Sequence, residues 1–454
     1  MILFLTKLKS QFHSDSTRGK VVRNVFWAVV GKVVTLLSTL FVGILVARYL
    51  GPEQYGLMNY IISIVGLFTV FSTFGTTDII IRELSKKNVP KEVILGTSFL
   101  MRIALAVIMI IGICMYLYFS NESAETSILI LIYALTSIFS CFDVIRHYFT
   151  SIIQNEYVVK SEIMRTMLGA GIKIILLLLE APLWTFIAAL TFDFALLAFG
   201  YIFAYRKKVA NISDWKFNKT FATLLLKTSF PLLLSSAAVV VYQRIDQVMI
   251  SKMIDNTSLG YFSTAFSFIS IGMFVPTIVI QTVSPILVKY RKEDLHRYEV
   301  ESQKIINIVT WGTIVLSSLT SIFSYYIIRY TYGVEYLAAV PVMQILAFKA
   351  VGLALSMIGG QLIIIENIHQ IAFVRNIIAC FVCIVCNYIL IPRWGIIGSA
   401  WATIITVMFT GGIANVFIPR YHHILKKQCI ALFLGWRDSV SYTHLRAHET
   451  CADL

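Results

Sequence analysis

Apolar runs of about 20 residues, separated by short charged or turn-rich gaps, recur along almost the whole chain. They fall at 24–48, 57–81, 93–118, 127–153, 161–179, 184–205, 224–251, 259–288, 305–328, 341–364, 371–391 and 395–418. About 20 apolar residues are what a helix needs to cross the hydrocarbon of a bilayer, and inside lipid the backbone must satisfy its own polar groups, which a helix does. With 58% hydrophobic and only 14% charged residues in 454, too little polar material remains to cover a water-facing surface. The pattern excludes a soluble enzyme, a secreted disulfide scaffold and an anchored enzyme with a large head. The fold expected is an all-α integral membrane protein with about twelve transmembrane helices in two six-helix bundles.

The gaps alternate in charge. One set carries Arg18, Lys20 and Arg23, then Arg82, Lys86 and Lys87, then Arg206, Lys207 and Lys208, then Arg291 and Lys292, and finally Lys426 and Lys427. The other set holds few bases, and 120–126 holds none. The positive-inside rule then puts both ends in the cytoplasm, with an even number of spans. It also accounts for the formal net charge of +14 without a nucleic-acid partner. The expected organisation is a cytoplasmic amphipathic lead-in at 1–23, an N-terminal bundle at 24–208, a cytoplasmic linker at 209–223 and a C-terminal bundle at 224–418. A tail or cut-short span occupies 419–439, and 440–454 reads as a translated sequencing adapter, which leaves Cys451 without meaning. Met1 to Leu5 is too short an apolar run for a cleaved signal. Cys380, Cys383 and Cys386 lie in mid-helix without a fourth ligand, so packing rather than metal binding is expected.

Two internal echoes set the architecture. Arg48-Tyr-Leu-Gly-Pro-Glu-Gln-Tyr-Gly56 returns as Lys252-Met-Ile-Asp-Asn-Thr-Ser-Leu-Gly260 at an offset of 204 residues, and Pro182-Leu-Trp184 returns as Pro392-Arg-Trp394 at an offset of 210. Six spans per repeat mean that both repeats enter from the same side, as parallel repeats do. These residues also carry a resemblance. Val-Gly31-Lys32, the Arg48 to Gly56 stretch, Phe74-Gly75 and Ile81-Arg82-Glu83-Leu84 are joined by Ser229-Phe-Pro231, Tyr242-Gln-Arg-Ile-Asp246, Leu259-Gly-Tyr261 and Gly395-Ile-Ile-Gly398-Ser-Ala-Trp401. Over about residues 20 to 420 the chain resembles bacterial polysaccharide biosynthesis membrane proteins, the O-antigen and capsule repeat-unit flippases of the multidrug/oligosaccharidyl-lipid/polysaccharide exporter superfamily. The resemblance implies a two-bundle alternating-access carrier. Its expected substrate is an undecaprenyl-diphosphate-linked oligosaccharide, moved from the cytoplasmic to the outer leaflet. Membrane lipids, a polysaccharide polymerase and a chain-length regulator are the expected partners.

Such a cargo has an anionic, hydrated head whose passage through hydrocarbon is very costly, so cations are expected inside the spans. Lys32, Arg102, Arg146, Lys173, Arg244 and Lys349 are the candidates for a cationic, substrate-binding cavity. Lys32 lies about 13 Å beyond Arg23 along its helix. In the fourth span Thr136, Ser140, Asp143, His147 and Thr150 recur at helical spacing, with Arg146 close enough to pair with Asp143. In the seventh, Ser235, Tyr242 and Asp246 share a face. Thr136, Ser140, Asp143, His147, Tyr242 and Asp246 therefore form the expected polar face or ion-coupling set. Duller roles stay open: Lys32 and Arg102 as snorkelling cations, Asp143 with Arg146 as a structural pair, His147 as a core hydrogen-bonding residue. No phosphate-cradling Gly-rich loop occurs, and no catalytic residue, metal or cofactor is expected. The alternative readings are a cation-coupled exporter of drugs or of another lipid-linked precursor and, more remotely, a membrane glycosyltransferase or polymerase.

Overall fold

The computed structural model describes residues 17–272, 274–366, 368 and 372–435. The first part of the lead-in, the adapter-like segment 440–454 and Cys451 lie outside the described residues. All regular structure in the described residues is helical. The first half runs α1 (Thr17–Thr73), α2 (Thr77–Lys86), α3 (Lys91–Phe119), α4 (Ala124–Ala134), α5 (Thr136–Phe139), α6 (Asp143–Ser151), α7 (Asn155–Leu178) and α8 (Leu183–Lys208). The second runs α9 (Lys219–Met253), α10 (Asn256–Gly272), α11 (Phe274–Glu293), α12 (Leu295–Thr331), α13 (Val340–Leu346), α14 (Lys349–Ile365), α15 (Ala372–Gly411) and α16 (His422–Phe433).

Every predicted span falls on helical structure, the second, fourth and tenth in more than one piece. Eight stretches are long and apolar enough to cross a membrane. Two of them break at a glycine: α1, at 57 residues, would be about 85 Å long if straight. It breaks at Gly51, whose φ of 70° and ψ of 171° leave the helical region, and α15 breaks likewise at Gly395, with φ 57°. Positive φ is where an L side chain is strained and glycine is not, so these two glycines turn two long helices into four spans. The predicted spans 161–179 and 259–288 fall on the α7 helix and the α10–α11 pair, which are not among those eight stretches.

Local sequence fixes the helix starts. Ser123 accepts from the Thr126 N–H at 3.2 Å, Asn218 from Phe221 at 2.9 Å, Asp255 from Ser258 at 2.6 Å and Asp294 from Arg297 at 3.0 Å. Each satisfies an N–H that the first helical turn leaves open. The linker is also tied down: the Lys216 N–H donates to the Glu92 carbonyl at 3.1 Å, and Thr97 Oγ1 accepts from the Asn218 N–H at 3.0 Å.

The described residues form two compact units, one within 1–50 and 60–240 and the other within 51–59 and 241–454. In the first, Ile80, Leu95, Val144, Phe149 and Tyr205 anchor a buried core. In the second, Ile306, Leu355, Ile358, Tyr421 and Ile424 do so. There α16 lies against α12, with the Trp311 indole donating to the Ala431 carbonyl at 2.9 Å. The second unit also contains residues 51–56 of the first echo and the whole of its counterpart, and these grip each other reciprocally. A Cβ on Gly56 would fall inside the Asn256 carbonyl, and a Cβ on Gly260 inside the Pro52 carbonyl. Pro52 and Asn256 are related by the same 204-residue offset as Gly56 and Gly260.

Candidate functional site

In the second unit, residues from four helices enclose a cavity of about 270 Å³ whose wall includes Tyr242, Arg244, Phe266, Lys349, Thr403 and Thr406. The α9 helix brings Tyr242, Arg244 and Asp246, α10 brings Phe266, α14 opens with Lys349, and the part of α15 beyond Gly395 brings the two threonines. The tenth span is not one continuous helix. A turn at Ala347–Phe348 ends α13 and restarts the helix at Lys349. Lys349 is only 8% exposed, and its ammonium lies 3.7 Å from the centroid of the Phe266 ring, a cation–π contact in a desolvated place. Asp246 is buried. Its Oδ1 accepts from the Gln247 N–H at 2.8 Å and its Oδ2 from the Thr403 hydroxyl at 3.2 Å. The charge acting most strongly on it is Lys349, with Arg244 also contributing.

A buried ammonium without an opposing charge is strongly unfavourable. Asp246 and the Phe266 ring offset that cost, while Lys349 and Arg244 still border empty space. The arrangement can therefore accept an anion beside two cations, with Thr403 and Thr406 as polar wall. Behind it, Ser399 donates to Asn387 Oδ1 at 2.7 Å. The Cys383 thiol, one of the three clustered cysteines, donates to the Tyr242 carbonyl at 3.7 Å.

In the first unit Arg102, Arg146 and Lys173 have internal partners. Arg102, 3% exposed, donates from Nη2 to Thr76 Oγ1 at 3.3 Å, to Thr77 Oγ1 at 3.2 Å and to His147 Nε2 at 3.2 Å. A guanidinium only donates, so Nε2 must accept and the imidazole is neutral with its proton on Nδ1. Asp143 supplies the strongest opposing charge on Arg102. Arg146, half-exposed, lies 4.0 Å from Glu162 rather than ion-paired to Asp143. Lys173 on α7 pairs with Asp193 on α8 at 2.5 Å. Gly169 makes that pair possible, since a Cβ there would collide with the Asp193 carboxylate. Lys32 is exposed on α1.

The hydroxyl stripe of the fourth span departs from its expected geometry. Instead of one helix, the chain runs α4, α5, a 3-10 turn at Ser140–Phe142 and α6. Thr136, Ser137 and Ser140 donate back to the carbonyls of Tyr133, Ala134 and Thr136 at 2.7–2.8 Å. Such back-bonding competes with the helical ladder and bends it. Thr150 donates to Asn155 Oδ1 at 2.9 Å. The structure thus brings together Tyr242, Arg244, Asp246 and Lys349 in one unit, and Arg102, Asp143 and His147 in the other. It keeps Lys32 and Lys173 apart from both clusters.

Sequence reasoning missed Phe266, Thr403 and Thr406. A signal was present: Ser399, Thr403, Thr406 and Thr410 recur at spacings of four, three and four residues and are all buried.

The comparisons agree with this architecture. The family described as polysaccharide biosynthesis protein matches residues 21–291. The chain is similar to the capsular polysaccharide biosynthesis protein CapF of Staphylococcus aureus, 22% identical over 395 residues, covering 84% of this chain and 94% of CapF. Its fold is similar to an inward-facing multidrug resistance MATE family transporter of the MOP superfamily, with a TM-score of 0.66 at 15% identity, over 87% of this chain and 96% of that one. It is also similar to the lipid II flippase MurJ in an inward closed conformation, with a TM-score of 0.64 at 16% identity, over 92% and 93% of the two chains. These matches make it a multi-pass membrane protein with an all-helical transporter fold. With the match spanning more than half of its length, the chain belongs to the polysaccharide biosynthesis protein family.

Proposed function

We propose that this protein is a flippase that carries undecaprenyl-diphosphate-linked oligosaccharide repeat units from the cytoplasmic to the outer leaflet of the bacterial plasma membrane, by alternating access, during surface polysaccharide assembly. The observation that carries the reading is the cavity of the second unit, where Lys349 and Arg244 border open space beside Thr403 and Thr406. A diphosphate is doubly served there: two cations oppose its charge, and the hydroxyls can replace part of its hydration. The relatives named for capsule biosynthesis and for flipping lipid II point to the same substrate class. Arg102, Arg146 and Lys173, each with an internal partner, are assigned to holding the first unit together. The competing reading, cation-coupled export, needs an acidic group open to a cation. Asp246 is already bonded to Thr403 and Gln247 and faces Lys349.

The test is flipping of a fluorescent undecaprenyl-diphosphate-linked disaccharide in proteoliposomes. Lys349→Gln and Arg244→Gln should each slow transport roughly tenfold or more, as expected when one charge is removed from a desolvated ionic contact. Unchanged rates in both variants sink the assignment, and efflux of amphipathic cations by the wild type would favour the exporter.

A further inference from the structure

The end of α8 and the linker to α9 concentrate charge of one sign. Residues 206–219 carry five bases, Arg206, Lys207, Lys208, Lys216 and Lys219, against one acid, Asp214. All five bases are exposed, and none forms an ion pair among the described residues. Bases in the neighbouring gaps of the same unit are answered: Arg82 and Lys86 pair with Glu83 at 3.1 and 3.0 Å, and Lys160 with Glu156 at 2.6 Å.

A connection between two spans needs only to reach from one to the next, and left free it keeps its conformational entropy. This one is fastened along its length. Val209, Ala210, Ile212 and Trp215 pack against the core of the first unit. The Trp215 ring lies 5.3 Å from Phe99 and 5.7 Å from Tyr205, centroid to centroid, and its indole donates to the Tyr205 hydroxyl at 3.3 Å. A Cβ on Gly96 would come within 2.6 Å of the Lys216 backbone, so that glycine lets the segment lie down on α3. With the bonds to Glu92 and Thr97, the segment becomes a fixed plate whose apolar side chains turn in and whose bases turn out.

Its setting points to a membrane surface. The plate lies between the sixth and seventh spans, where helix meets water. The Lys207 ammonium is 5.7 Å from the centroid of Phe203, an exposed ring in the last turns of the sixth span, and Lys208 is 5.3 Å from that of Tyr157. A lysine laid back along a ring at a span's end keeps its charge at headgroup level. Phe217, 55% exposed, stands between Lys216 and Lys219, and an apolar ring flanked by bases suits the boundary between headgroups and acyl chains.

We propose that residues 206–219 form a docking surface for anionic phospholipid headgroups of the leaflet that the basic gaps face. The bases oppose the phosphate charge, and Phe217 enters the acyl boundary. Bases already fixed in place lose little freedom on binding, which favours a defined site over diffuse attraction. The inference rests on the chain being a membrane protein and is independent of what it carries.

The experiment titrates the full chain, purified in a neutral detergent, with phosphatidylglycerol and with phosphatidylcholine of the same acyl chains, and counts bound lipid by native mass spectrometry. Wild type should hold phosphatidylglycerol about tenfold or more tightly than phosphatidylcholine. Each neutralised base should weaken that binding about fivefold. The triple variant Lys207→Gln, Lys208→Gln, Lys216→Gln should therefore lose the preference, with its lipid-free unfolding midpoint unchanged because these side chains have no acid to lose. Arg82→Gln with Lys86→Gln, at the same end of the unit but paired with Glu83, is the control and should keep the preference within about twofold. An equal loss in the control shows diffuse charge and overturns the surface. A wild type that takes both lipids alike, or a triple variant that still prefers phosphatidylglycerol, overturns it too. Should the triple variant fail to fold, Lys207→Gln and Lys216→Gln carry the comparison singly, and unchanged affinity in both overturns the proposal. An acidic protein that stays bound to delipidated wild type and is lost from the triple variant overturns the lipid in favour of a protein partner.

Discussion

Lys173 and Asp193 show how a single contact decides the meaning of an intramembrane charge. Both side chains are mostly shielded, and the pair joins α7 to α8. Removing one partner leaves the other buried and uncompensated, so Lys173→Met and Asp193→Asn should each destabilise by about 3 kcal/mol in thermal unfolding. The double variant should recover much of that loss, and additive losses would sink the pairing argument. A second test concerns Arg102. His147→Gln keeps an acceptor for the guanidinium and should be mild, whereas His147→Leu removes it and should cost about 2 kcal/mol. Equal midpoints for the two variants would show that the imidazole acceptor is unimportant. Little of this was legible in the sequence. Lys173 was visible as a base inside a span, but its acid lies 20 residues away on the next helix, and only tertiary packing selects it.

Helices and their ends carry the next level of constraint. Gly56 and Gly260 sit where each repeat turns back into its second helix, and each faces the other repeat's backbone. Gly56→Ala or Gly260→Ala must push two backbones apart and should cost about 1–3 kcal/mol. Gly43→Ala, with nothing within 4 Å of the added methyl, should be neutral or stabilising by about 1 kcal/mol. Comparable midpoints for all three would contradict the contact. At α2 the charges are arranged for the aqueous side. Burial raises the Glu83 carboxyl, and hydrogen bonds from Lys86 and Arg82 more than offset it, so its pKa lies below the usual 4.5. A lowered carboxylate contributes stability above its unfolded pKa and loses it as pH falls through the folded value. Glu83→Gln should therefore narrow the gap in midpoint between neutral pH and pH values below 4.5. Helix positions were legible because a bilayer demands length and apolarity. The break in the fourth span was not, because Thr136, Ser137 and Ser140 look like a polar face in projection and reveal their bonds to their own carbonyls only in three dimensions.

For the whole molecule, the alternation of bases between gaps makes a topological forecast. With the native exposed thiols Cys114 and Cys429 removed, Glu125→Cys should react with an impermeant maleimide added to intact cells. Asn211→Cys should react only after permeabilisation; the opposite pattern would invert the assigned orientation. The all-helical membrane architecture was readable because a bilayer writes its demands into periodicity and into recurring turn residues. The cavity was half readable, through Tyr242, Arg244, Asp246 and Lys349, but the helices that close around it are brought together by folding alone. The mutual grip of Pro52 with Gly260 and of Asn256 with Gly56 has a further consequence. Contacts in which each party offers the same surface to the other are the mark of self-association between identical subunits. The approach of Gly56 to Asn256 and of Gly260 to Pro52 has that reciprocal form inside one chain, so a change on either side of the turn is felt equally by the other.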